Sequence, residues 1–144
     1  MVEQDTIRLL RECDAGIKMG IASIDAVLEY VRDDIFMKCL NDYKNKHTEL
    51  KKEIEDLLNE FHDEGKDPDP MAKSMSWIKT NVKLVMNESD KTIADLITDG
   101  CNMGVKSLNK YLNQYQAADE KSKDIAKRLI NIEEKLAVDI RQFL

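Results

Sequence analysis

Long apolar runs are missing from this chain of 144 residues. No segment approaches the roughly 20 consecutive apolar residues that a membrane-spanning helix needs. The opening Val2-Glu3-Gln4-Asp5 has none of the apolar character of a secretory leader. A cytoplasmic protein without a membrane span is the expectation. Proline occurs twice, at Pro68 and Pro70, so only one stretch breaks helical patterning outright. Cys13, Cys39 and Cys101 are an odd number with no CxxC spacing, and each falls inside a helical pattern. That arrangement fits buried free thiols and not a disulfide or zinc framework. Basic residues nowhere gather into a stripe with interleaved aromatics, and the formal net charge of −6 is spread over both signs. A broad nucleic-acid footprint is thereby excluded.

What the chain does contain is charge and apolar bulk. Charged residues make up 35% and hydrophobic ones 42%, in the mixture used by long amphipathic helices. Its length is that of one ordinary domain, so residues 1–144 are read as a single all-α domain. The central feature is a repeat. Gly16-Ile17-Lys18-Met19-Gly20-Ile21-Ala22-Ser23 returns later in the chain as Gly100-Cys101-Asn102-Met103-Gly104-Val105-Lys106-Ser107. In each copy the glycines and the serine recur at i, i+4 and i+7, which places them on one narrow strip of a helix. Glycine in a helix interior costs about 1 kcal/mol relative to alanine. Gly16, Gly20, Ser23, Gly100, Gly104 and Ser107 are therefore expected to permit close helix packing, either helix one on helix three or across a two-fold dimer.

Hydrophobic spacing predicts four long helices. The first runs from about Glu3 to Val31 on the stripe Ile7, Leu10, Ile17, Ile21, Ile24, Leu28 and Val31. After a turn and cap at Asp33-Asp34, the second carries Phe36, Leu40, Tyr43, His47, Leu50, Ile54, Leu57 and Phe61. It fades at His62-Asp63-Glu64-Gly65. A hinge at residues 66–70 precedes a shorter crossover helix, Met71 to Met86, with Met71, Met75, Ile78, Val82 and Val85 on one face. The third long helix starts after Asn87-Glu88-Ser89-Asp90 and ends near Tyr115, on Ile97, Cys101, Val105, Leu108, Leu112 and Tyr115. Gln116-Ala117-Ala118-Asp119 makes the last turn. Ile125, Leu129, Ile132, Leu136, Ile140 and Phe143 then carry the fourth helix to the C-terminus.

Two repeated helical hairpins joined by one long connection form the topology of ferritin-like bundles. At the residue level the chain resembles an uncharacterised bacterial ferritin-like four-helix-bundle family, a domain of unknown function, over nearly its whole length. The resemblance lies in the Gly-centred turn of helix one, Val31-Arg32-Asp33, Ser76-Trp77-Ile78-Lys79 and the second Gly-centred turn at Met103-Gly104. It implies a ferritin-like fold. Ferritin-like metal sites take a Glu from each of two helices and a Glu-x-x-His from each of the other two. Here Ile21 and Val105 follow the repeated glycines where a Glu would fit, Lys44 stands three residues before His47, and Ile132 holds the matching stripe position in helix four. No di-iron centre, catalytic residue or cofactor is expected from such a set, and hydrocarbon is expected to fill the centre of the bundle.

Polar groups on the predicted stripes are few. Asp14 interrupts the first, and a buried unpaired carboxylate costs several kcal/mol at order-of-magnitude level. His47 lies about a turn from it across the antiparallel hairpin. An Asp14–His47 hydrogen bond fixing register is expected, with Tyr43 as a third member. The same three residues are the weak candidates for a degenerate metal-binding or oxidase-type site. The favoured reading is a non-enzymatic bundle protein acting by self-association or through a protein partner, with no nucleic acid and no membrane span. A small-ligand sensor with an apolar pocket stays open as a third reading.

Overall fold

The computed structural model describes residues 2–66 and 89–144, and within them every regular element is a helix. The expected crossover helix at Met71 to Met86 lies outside the described residues. Among the described residues four α-helices are present: α1 Val2–Leu28, α2 Asp34–Glu60, α3 Asp90–Gln114 and α4 Glu120–Asp139, followed by a 3-10 turn, Arg141–Phe143. Boundaries follow local chemistry. The Asp33 carboxylate accepts from the amides of Ile35 and Phe36 at 2.8 and 3.0 Å. Asp119 likewise accepts from the Ser122 amide at 2.8 Å. Helices α2 and α4 thus begin where a side chain satisfies their free N–H groups. At the other end of α2 the amides of His62 and Asp63 bond back to the Asn59 and Leu58 carbonyls. His62 itself sits in the left-handed region at φ 57°, a geometry that ends helices. Helix four is shorter than the spacing predicts, because Ile140 leaves helical geometry and Phe143 turns back to stack on Phe36, 4.4 Å between ring centres.

The core consists of two apolar clusters. One holds Ile24, Val27, Phe36, Leu40, Ile93, Ile97, Leu136 and Ile140; the other holds Leu9, Ile17, Leu50, Ile54, Leu58, Leu108, Ile125 and Leu129. Each cluster draws on all four helices, and the order in which a helix visits them gives its direction. Helices α1 and α4 run one way, α2 and α3 the other. Both α1 and α4 touch all three other helices, and α2 and α3 lie on opposite sides of that central pair. No helix among the described residues is long and apolar enough to cross a membrane.

The two hairpins are tied to each other reciprocally. Asp90, at the start of α3, accepts from the amides of Arg32 and Asp33 in the α1–α2 connection, at 2.9 and 2.8 Å. Asp5 and Thr6, near the start of α1, accept from the amides of Ala117 and Asp119 in the α3–α4 connection, at 3.1 and 2.9 Å. Each first turn thus satisfies backbone donors that the other hairpin's connection leaves unpaired.

Candidate functional site

Midway along the bundle every helix skips one apolar layer. The flanking core residues are seven apart in each: Ile17 and Ile24, Tyr43 and Leu50, Cys101 and Leu108, Leu129 and Leu136. Between them stand Gly20, His47, Gly104 and Glu133, at the level where the two apolar clusters separate. Ile132, partly buried, packs against both clusters. Ile21 and Val105 are only half-buried beside their glycines, so a polar pair and not hydrocarbon occupies this layer.

His47 is 1% exposed, and both of its ring nitrogens face acceptors. Nδ1 lies 2.6 Å from the Tyr43 carbonyl oxygen. A carbonyl only accepts, so Nδ1 carries a hydrogen. Nε2 is in direct hydrogen-bond contact with Glu133 Oε1. Burial disfavours the charged ring, but the Glu133 hydrogen bond and charge, with the Tyr43 carbonyl, outweigh it and raise the His47 pKa above that of free imidazole. Glu133 is buried as well, and burial together with its nearby carboxylate pushes the Cys101 thiol up. The pair therefore ties α2 to α4.

The glycines border this pair. A Cβ on Gly20 would stand 3.0 Å from both Cδ2 and Nε2 of the His47 ring, and one on Gly104 would stand 3.8 Å from Cγ and Oε2 of Glu133. Gly16 and Gly100 differ: a Cβ on either meets nothing within 4 Å among the described residues. Ser23 bonds the Met19 carbonyl of its own helix at 2.8 Å, and Ser107 is exposed. The glycines of the strip, one packing surface by sequence, thus divide: Gly20 leaves room for the His47 ring, Gly104 lies at ordinary contact distance from Glu133, and Gly16 and Gly100 border nothing among the described residues.

Asp14 does not pair with His47. It lies six residues before Gly20, about 9 Å along α1. Its Oδ2 accepts from Lys18 Nζ at 2.8 Å and from the Lys66 amide at 3.0 Å, while Oδ1 has no hydrogen-bond partner among the described residues. Gly65, at φ 86°, rests against this carboxylate so closely that a Cβ would overlap Oδ2. Asp14 therefore straps the chain after α2 onto α1. Tyr43 does join His47, but through its backbone; its phenol donates to Asp139 at 2.5 Å and is pushed far up by burial and by that carboxylate. Ile132 packs against both clusters as a stripe residue does, but Glu133 beside it is the residue that α4 turns toward His47. A signal for Glu133 was present. Leu129-x-x-x-Glu133-x-x-Leu136 reproduces the spacing of Tyr43-x-x-x-His47-x-x-Leu50.

The donor set does not suit a ferritin-like di-metal centre, which needs several free oxygen or nitrogen ligands converging on one point. Two of the four helices offer glycine at this level, both ring nitrogens of His47 are engaged, and among the described residues no three His, Cys, Asp or Glu side chains are grouped to hold an ion. Thiol chemistry is disfavoured too. Burial, with neighbouring carboxylates, raises Cys13 to about 12 and pushes Cys39 and Cys101 up. None is a thiolate at neutral pH. Compared with protein families, curated proteins and solved structures, the chain matches none.

Proposed function

We propose that this chain is a ferritin-like four-helix-bundle protein whose central layer serves structure in place of metal chemistry, and that it acts through association with itself or with a protein partner. One observation carries the reading. His47 and Glu133, the two side chains best placed to coordinate an ion, satisfy each other, and the remaining imidazole nitrogen donates to a carbonyl. Helix directions support the ferritin-like assignment, since α2 ends beside the start of α1 whereas α3 begins beside the α1–α2 connection. That arrangement requires one long connection between the hairpins. Gly100, Met103 and Ser107 lie on an outward strip of α3, and Met103 is 60% exposed. Such a strip supplies a surface on which a second helix can come close.

Two measurements test this. Metal analysis of protein purified without a tag is expected to find less than stoichiometric iron, manganese or zinc, and light scattering after size exclusion is expected to give a dimer or larger species. A monomer carrying one or more equivalents of metal would overturn the proposal and favour the metal-binding alternative.

A further inference from the structure

Both nitrogens of one buried imidazole face acceptors, and this sets a proton count. The Tyr43 carbonyl takes one N–H and the Glu133 carboxylate needs another. A neutral imidazole has a single N–H, so after losing a proton it must turn a lone pair toward the carbonyl or toward the carboxylate. We propose that the proton shared by His47 and Glu133 is the latch of the bundle's central layer: with it bound, α2 and α4 are held together at mid-length, and its loss at alkaline pH opens that layer while the apolar clusters on either side stay packed.

Among the described residues, the surroundings offer no substitute charge. From α1, Gly20 faces the ring and carries no side chain; from α3, the Cys101 thiol near Glu133 is pushed up and stays neutral; from α4, Glu133 itself is the partner. On α2, Tyr43 contributes its carbonyl, and its phenol is held by Asp139. Lys44, one turn from His47, is tied to Asp25 at 2.6 Å. Among the described residues the Glu133 side chain retains 12% exposure against 1% for His47, so the carboxylate is the more solvent-accessible end of the pair. Gly104 borders that carboxylate from α3.

The experiment follows the His47 ring by NMR from pH 5 to 10, together with hydrogen exchange of backbone amides corrected for intrinsic pH dependence. His47 is expected to titrate above free imidazole, and amides around Gly20, His47, Gly104 and Glu133 are expected to lose protection at least tenfold through the same transition, with those around Leu9 and Phe36 unchanged. Glu133→Gln, which supplies an amide where the carboxylate stood, should lower the His47 transition and remove the coupled change in exchange. His47→Gln, which has no proton to lose, should show pH-independent protection at mid-bundle. Titration of His47 with no change in mid-bundle protection, or the same loss of protection in His47→Gln, would overturn the proposal.

Discussion

The His47 ring lies against Gly20, where α1 carries no side chain: a Cβ there would be 3.0 Å from two of the ring atoms. The ring is pinned at both nitrogens and has no freedom to retreat. Gly20→Ala is therefore predicted to lower stability, because overpacking of about 1–3 kcal/mol exceeds the roughly 1 kcal/mol of helix propensity gained. Gly100→Ala meets open space. It is predicted to gain up to about 1 kcal/mol. Denaturant midpoints of the two variants should move in opposite directions from the parent.

Removing one partner of the buried pair should cost far more than removing both. His47→Leu leaves Glu133 as an uncompensated buried carboxylate, a loss of about 3–5 kcal/mol. His47→Leu with Glu133→Leu joins the two apolar clusters into one core, and its stability is predicted to equal or exceed the parent's. Urea unfolding of the single and double variants measures the difference directly.

The raised pKa of His47 carries a stability consequence of definite sign. A group whose pKa is higher folded than unfolded stabilises fully below its unfolded value, about 6.5 for histidine, and loses that contribution as pH rises through the folded value. Stability is predicted to decline above about pH 6.5 in the parent, and this component of the decline should vanish in His47→Gln. Chemical denaturation from pH 6 to 9 supplies the comparison.

At the end of α2, His62 adopts φ 57° with an L side chain. Glycine is the common choice at such a position. His62→Gly should raise stability by roughly 1 kcal/mol. Gly65→Ala should lower it, since φ 86° and the Asp14 carboxylate both oppose a Cβ. Thermal melts resolve both changes, as about 1 kcal/mol is worth roughly 2–4 °C for a domain of this size.

Much of the bundle was legible because helical periodicity is a local property. The stripe of α2 from Phe36 to Ile54 is buried at each expected position, and the helix starts at Asp33 and Asp119 follow from capping chemistry that the sequence displays. The site was only half legible. His47 announced itself as a polar residue on an apolar stripe, but Glu133 adjoins Ile132, and an acid beside a stripe-forming aliphatic reads as surface. Asp14 was misassigned for a different reason. Its partners are Lys18 and a main-chain amide of the turn after α2, and no periodic pattern predicts where such a turn folds back.

Because each apolar cluster takes residues from both hairpins, neither hairpin owns a complete interior. A single proteolytic cut between residues 67 and 88 would leave two fragments, one with His47 midway along its apolar face and the other with Glu133, each with a long greasy surface and half of an ion pair. Such fragments are natural complements. Mixed at equal concentration they should reassemble into the parent bundle, and a fragment with His47→Leu should select a partner bearing Glu133→Leu over the unaltered one, which turns one buried contact into a means of programming which halves join.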